Sequence, residues 1–258
     1  MQSALDQFDI DNAISQFRIS IGRVRDLIAL HNSVKAQATG ALDVSDMLRA
    51  ALVLAVSALD YYVHEVATLG MLQIHRGQRS EPTPSANTIQ SAFSRFQVSL
   101  GGARQDRLTA INIASWLENE IQQTQGYAFL QQPYTVSALI PAISNCIVNR
   151  LNNASWLESE IRERLGYLSF QQADKIADAI RYISDKKLWD EVAIQMTKPA
   201  KDIKQQLNSI VDRRNKIAHE ADIDPTFNIG SRWNIDEVLV GDAVNFVEML
   251  VESIHQVL

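Results

Sequence analysis

Residues 199–220 read PAKDIKQQLNSIVDRRNKIAHE, and they are the most informative segment of the chain. Its leading proline and the helical spacing of its apolar residues predict one amphipathic helix over Pro199–Glu220. The predicted buried stripe, within about 60–65° of one direction, consists of Ile203, Leu207, Ile210, Val211, Ile217, Ala218 and Ala221. Arg214 falls almost at its centre. A guanidinium there marks a functional site, a core ion pair with Asp60 or Glu65, or a side chain that reaches solvent.

Apolar periodicity predicts more helices on both sides of this one, at about residues 4–35, 45–76, 87–99, 172–184, 186–196 and 242–258. The helix at 45–76 contains the longest apolar run, Ala50–Leu59, and we expect it to be the central helix of the core. The last helix is predicted to begin with Asp242 as its N-cap and to pack against the helix at 199–220. With only ten glycines and six prolines, the chain is predicted to be all-α.

Charge and composition limit the possible partners. The net charge of −6 excludes a broadly basic surface for nucleic acid, so any such contact is expected to be local. Cys146 is the only cysteine, which rules out an internal disulfide framework and favours a reducing cytoplasm. We see no secretory signal, and the Ala50–Leu59 run is far below the ~20 residues that cross a bilayer. The five histidines show no metal-ligand spacing, and we expect neither a metal nor a cofactor.

The middle of the chain contains a repeat at an offset of 40 residues. Residues 111–132 and 151–172 are identical at 12 of 22 positions, including an Ala-Ser-Trp-Leu-Glu core in each copy. Each copy predicts a helix with a serine N-cap, Ser115 or Ser155, that ends at a Gly-Tyr pair. The duplication either adds a binding surface or only extends the scaffold.

Within the helix at 199–220, Arg214 is followed directly by Asn215 and, after four intervening residues, by His219. This arrangement resembles the defining motif of the HEPN superfamily. Residues 46–65, 169–177 and 213–220 are similar to its RiboL-PSP-HEPN branch. The resemblance implies one all-α HEPN-type domain.

That domain would be a helical bundle with its core at about 1–100 and 165–258 and a duplicated helical insertion at about 103–171. The resemblance leaves the first repeat copy without a counterpart.

The resemblance also implies an activity, that of a metal-independent endoribonuclease acting as a toxin or an effector of anti-phage defence. RNA supplies its own 2′-hydroxyl nucleophile, so cleavage needs a group that exchanges protons near neutral pH and a cation on the phosphate. His219 is expected to be the first and Arg214 the second, with Asn215 orienting the imidazole or the phosphate.

Arg214 and His219 point about 140° apart around one regular helix, so they do not face a common point within one chain. The resemblance implies a homodimer in which two such helices pair, so that groups from both chains form one site. Asp60, His64 and Glu65 are supporting candidates for the site. Arg213 and Lys216 are candidates for contact with the RNA backbone.

Two other interpretations stay open at the level of sequence. A non-catalytic HEPN-type helical module would bind RNA or a protein partner. A purely structural helical protein would hold Arg214 in a core ion pair. A toxin is further expected to have an antitoxin or a regulatory protein partner.

Overall fold

The computed structural model describes residues 9–37, 43–84, 89–97, 117–118, 120–133, 135–152, 154–226 and 230–258. Over these residues the regular structure is helical apart from one isolated β-bridge, between Ile223 and Arg232, so the all-α prediction is confirmed. The helices are α1 (Asp11–Gln37), α2 (Ser45–His75), α3 (Tyr127–Leu130), α4 (Val136–Asn152), α5 (Ala154–Gly166), α6 (Ala173–Ile180), α7 (Leu188–Met196), α8 (Ala200–Glu220) and α9 (Glu237–Val257).

The chain divides into two compact units. The first combines Met1–Ser94 with Leu168–Leu258, and the second is Arg95–Tyr167.

The 31-residue helix α2 is the centre of the first unit, as predicted. Helices α1, α6, α8 and α9 all pack against it. Among the described residues, α2 is also the one helix long and apolar enough to cross a membrane, by length and composition alone. Most of its apolar window is buried inside the protein, which is the behaviour of a core helix.

Three helices of the first unit meet at Tyr62. Its ring is fully buried in α2, 5.9 Å from the ring of Phe17 in α1, and its hydroxyl lies 3.3 Å from His255 Nδ1 in α9. His255 Nε2 lies 3.0 Å from Asp11 Oδ1 at the start of α1. Burial raises the pKa of Tyr62, so its hydroxyl stays protonated. These contacts fix α1 and α9 against α2.

Ion pairs lie along the exposed seam between α1 and α9. Arg18 Nε is 2.7 Å from Glu252, Arg25 binds Glu248 through both terminal nitrogens, and Lys35 Nζ is 3.0 Å from Glu237. The arginine keeps the pKa of Glu248 below its usual value. Pairs this exposed each contribute only ~0–1 kcal/mol, so they set the register of the two helices more than their stability.

The predicted buried face of the last helix is confirmed, since all its members are buried: Ala243, Val247, Leu250, Val251, Ile254 and Val257. Its predicted start is wrong. The N-cap is Asp236, whose Oδ1 accepts the backbone N–H groups of Val238 and Leu239, and Gly241 lies inside the helix. A capping carboxylate satisfies donors that are otherwise orphaned, and it outweighs the small cost of an internal glycine.

The predicted packing of this helix is also wrong. The main partners of α9 are α1, α2 and α7, and α8 is not among them. Helices α2 and α7 each pack against both α8 and α9. The predicted helix at 87–99 is wrong over its described part, where residues 89–97 form turns and bends.

The second unit contains α3, α4 and α5, together with helical residues at 117–118 and 120–125. The predicted ends at Gly-Tyr are confirmed: Gly126 has a positive φ of 85° after the first copy's helix, and α5 ends at Gly166. Ser155 is not the N-cap, because Ala154 is already helical, and Ser115 lies outside the described residues. Buried side chains in this unit include Ile121, Cys146, Trp156, Ile161 and Leu165.

Gly70 provides a test of how closely α2 packs. A Cβ at this position would lie 2.6 Å from Ile183 Cγ2, whereas one at Gly22 in α1 would meet nothing within 4 Å. Gly70→Ala is expected to destabilise the protein by about 1–3 kcal/mol through overpacking. The matched control Gly22→Ala is expected to stabilise it by about 0.5–1 kcal/mol. Denaturant midpoints measure both, and a shift of the same sign for the two variants would contradict the contact.

Candidate functional site

Helix α8 carries the Arg-x4-His sequence, and its burial changes along its length. Ile203, Leu207 and Val211 are buried, as predicted. The continuation of the predicted stripe is wrong, because Ile210 and Ile217 are only partly buried and Ala218 and Ala221 are exposed. The physical reason is that the apolar core ends near Val211. Beyond it, Arg213 of α8 and Arg49 of α2 both bind the carboxylate of Asp222.

Arg214 lies at this edge of the core and is partly buried. Its Nη1 donates to Asn215 Oδ1 at 3.0 Å, and its buried Nε has no hydrogen-bond partner in the structure. Within the described parts of the chain, no carboxylate forms an ion pair with it. The interpretation of Arg214 as half of a core ion pair therefore finds no support, and the guanidinium keeps hydrogen-bonding capacity for another ligand.

His219 lies in the last turn of α8 and is exposed, whereas Asn215, one turn earlier, is partly buried. The amide of Asn215 holds Arg214 rather than the imidazole. Five residues separate Arg214 from His219, or about 140° around the helix, which agrees with one being partly buried and the other exposed. A single α8 therefore presents these two groups in different directions.

Asp60 and His64, two of the supporting candidates on α2, contact Phe170 and Gln171 rather than Arg214. Asp60 Oδ1 accepts the backbone N–H of Phe170 at 2.7 Å, and Oδ2 accepts from Gln171 Nε2 at 2.9 Å. His64 Nε2 lies 3.7 Å from Asp60, and its ring lies 4.6 Å from the Phe170 ring. Asp60 therefore anchors the segment that leads into α6, and Arg214 is not among its partners. Glu65 is partly buried on the same helix.

Arg213 binds groups of the protein itself, whereas the sequence predicts a contact with RNA. Its Nη2 donates to Asp222 Oδ2 at 2.9 Å and to the carbonyl oxygens of Trp233 and Asn234 at 3.2 and 3.1 Å. Burial lowers the pKa of Arg213, and the charge of Asp222 opposes that shift. The side chain is committed to the end of α8, and this geometry gives no support to a contact with the RNA backbone.

Arg49 of α2 and Arg213 of α8 both bind Asp222, and the three residues form one cluster. It is 7% exposed, and its Nε donates to Asp222 Oδ2 at 2.7 Å. Asp222 itself is fully buried. Sequence reasoning missed both residues, although each left a signal: Arg49 precedes the apolar run of α2, and Asp222 follows the motif by three residues.

Lys216 stays a candidate for substrate contact. It is exposed, and its Nζ lies 4.8 Å from the centre of the Trp233 ring. It is three residues before His219, so the two side chains project from neighbouring positions on one side of α8. Across the described ranges, no three His, Cys, Asp or Glu side chains lie together as metal ligands.

One helix of an all-helical unit therefore carries an exposed histidine and an arginine that has no carboxylate partner among the described residues. The sequence model of the RiboL-PSP-HEPN family matches residues 107–258, and the chain belongs to this family. The matched range includes α8 and both repeat copies, so the first copy has a counterpart that the resemblance of motifs did not reveal. No curated protein and no solved structure shows significant similarity to the chain.

The contacts of Asp60 predict a structural effect. Asp60→Ala leaves the N–H of the buried Phe170 without its acceptor and is expected to destabilise the protein by about 1–3 kcal/mol. The control is Asp178→Ala, which breaks the exposed pair with Arg181 and is expected to change stability by less than ~0.5 kcal/mol. Equal unfolding midpoints for the two variants would show that Asp60 is not an anchor.

Proposed function

We propose that this protein is an endoribonuclease that cleaves RNA without a metal ion. The observation that carries the proposal is the state of Arg214: it is partly buried, has no carboxylate partner among the described residues, and shares one helix with the exposed His219. Membership of the RiboL-PSP-HEPN family supports a role connected with RNA. Withdrawing part of a guanidinium from water without a counter-charge is costly, which favours an anionic ligand such as a phosphate at this position.

The chemistry needs only groups that the motif contains. His219 removes the proton from a 2′-hydroxyl, the 2′ oxygen forms a bond to phosphorus, and the bond from phosphorus to the 5′ oxygen breaks. The leaving oxygen takes a proton from a second histidine or from water, and a 2′,3′-cyclic phosphate remains on the 5′ fragment. Arg214 stabilises the negative charge that builds up on the two free phosphate oxygens, for which its planar fork is suited.

Because one α8 presents Arg214 and His219 in different directions, we propose that the site forms between two copies of the chain. A two-fold axis brings the arginine of one protomer to the histidine of its partner. The surface of α2 supports this arrangement, since Ala50, Leu54 and Tyr61 lie on one side of the helix and are exposed. Leu54 is 49% and Tyr61 is 48% exposed, and apolar groups in such a row favour burial against another surface.

The substrate contact is proposed to be local, as the net charge of −6 requires. Lys216, which lies over the Trp233 ring, is the basic side chain next to His219 on α8 and is suited to an RNA phosphate. Arg213 is not proposed for this role, because its guanidinium is already bound to Asp222 and to two backbone carbonyls.

We further propose that the protein acts as a toxin or an effector of anti-phage defence in the cytoplasm, held in check by a protein partner. The support is the resemblance of its motif to HEPN ribonucleases. Expression of the wild type is then expected to slow growth, and expression of a cleavage-deficient variant is expected not to.

The first test is cleavage of total RNA by the purified protein in the presence of EDTA. We expect cleavage that EDTA does not abolish, and a loss of about 10²–10⁴-fold in rate for His219→Ala, because a general base contributes that much. Arg214→Ala is expected to lose activity as well. The matched controls are Glu220→Ala, next to His219 on α8, and Arg181→Ala, an exposed arginine on the surface.

The outcomes separate the candidate functions. Activity that His219→Ala retains would contradict the proposed chemistry, and activity that EDTA removes would contradict metal independence. RNA binding without any cleavage would indicate the non-catalytic module instead.

The second test asks whether the site forms between protomers. Arg214→Ala and His219→Ala are each expected to be inactive alone, whereas an equimolar mixture is expected to recover about a quarter of wild-type activity. Half of the exchanged dimers are mixed, and each of these holds one intact pair of two. Leu54→Glu is expected to give monomers by light scattering and to abolish the recovery. No recovery from a mixture proven to contain mixed dimers would contradict a site built in trans.

A further inference from the structure

The backbone after α8 ends the helix in an unusual way. Ala221 and Asp222 both have left-handed conformations, with φ of 52° and 58°, and neither is glycine. The N–H groups of both residues point to the Lys216 carbonyl, with 3.1 Å for that of Asp222. Left-handed backbone at two consecutive residues with side chains is unfavourable, so other contacts must hold it.

Those contacts converge on the Asp222 carboxylate. It is fully buried and receives Arg49 Nε at 2.7 Å from α2 and Arg213 Nη2 at 2.9 Å from α8. Both guanidiniums also donate to the Trp233 carbonyl, at 3.0 and 3.2 Å. The Trp233 N–H in turn donates to the Asp222 carbonyl at 2.9 Å. Asp222 therefore joins α2 and the end of α8 through its carboxylate and the segment before α9 through its backbone carbonyl.

A second layer of contacts holds the same segment to α2. Ile223 and Arg232 form an antiparallel bridge, and the Asp224 N–H donates to the Ser231 carbonyl at 2.9 Å. Arg232 binds Asp43 at 3.0 Å and also Asp46, at the beginning of α2. The last turn of α8 therefore has little freedom to rotate or unwind.

We propose that Asp222, Arg49 and Arg213 are positioning residues for His219, an inference that rests on the proposed function. His219 is three residues before Asp222 and lies in the turn that the carboxylate fixes. Catalysis by a general base depends on its placement to within a fraction of an ångström, so loosening this turn slows the reaction. None of the three residues needs to touch RNA to have this effect.

The experiment separates positioning from stability by two substitutions. Asp222→Asn keeps the size of the side chain and the tolerance for left-handed backbone but removes the charge that binds the guanidiniums. Ala221→Gly relieves the backbone at the preceding residue and is chosen to restore the thermal midpoint of Asp222→Asn. Arg49→Lys, which keeps the charge but loses the fork, is the milder variant.

Two measurements are made on each variant. Amide hydrogen exchange at residues 221, 222 and 233 is expected to rise about tenfold or more in the double variant, relative to amides at 203–211. The kcat for RNA cleavage is expected to fall about 10- to 100-fold, with little change in KM, even where the thermal midpoint equals that of the wild type. The matched control is Asp224→Asn, whose carboxylate bonds to Thr226 alone among the described residues, and it is expected to leave both values within about twofold.

Any other pattern overturns the inference. A double variant with the wild-type midpoint and the wild-type kcat would show that Asp222 is only structural, and so would faster exchange without a change in kcat. A fall in kcat without faster exchange would show that the carboxylate acts by another route. If the wild type does not cleave RNA, the proposed function fails, and the exchange measurement alone decides whether the three residues fix the turn.

Discussion

The structure of the first unit depends on the need to cover α2. This helix is 31 residues long and apolar over most of its length, and exposing it to water would cost about 25 cal/mol for each Å² of apolar surface. Four helices, α1, α6, α8 and α9, provide the cover. The place of α8 follows from this constraint, because its first half must bury Ile203, Leu207 and Val211 against the core. The Arg-x4-His motif lies beyond Val211, in the part of α8 that the core no longer buries completely.

Helix periodicity predicted most of this arrangement from the sequence. The bounds of α2, α7 and α8 and the buried face of α9 follow from apolar residues that recur at three and four positions, a signal carried by the chain itself. The start of α9 was not predictable in this way, because Asp236 and Asp242 are both plausible caps and the choice depends on tertiary packing. For the same reason α9 packs on α7 rather than α8, a fact about neighbours that no single helix encodes.

The candidate site was predictable in part. The motif identifies Arg214, Asn215 and His219, and the regular geometry of α8 sets the angles between their side chains. The partners of Arg213 and Asp60 were not predictable, because Asp222, Trp233, Phe170 and Gln171 are far away in sequence or in loops without periodicity. Asp222 also depends on a left-handed backbone that alanine and aspartate seldom adopt, so no rule of local propensity points to it. Features that a single helix determines are therefore predictable from the sequence, whereas contacts between distant segments are not.

The cluster around Asp222 has a further consequence for how the protein would meet a polyanion. Its three guanidiniums, from Arg49, Arg213 and Arg232, are matched by three carboxylates, those of Asp43, Asp46 and Asp222. The cluster therefore cancels its own field and adds little long-range attraction for nucleic acid. Under the proposed function, counterion release on binding would come instead from the cations of the site that lie outside the cluster, Arg214 and Lys216. RNA affinity would then weaken only gently as ionic strength rises, unlike that of a broadly basic protein.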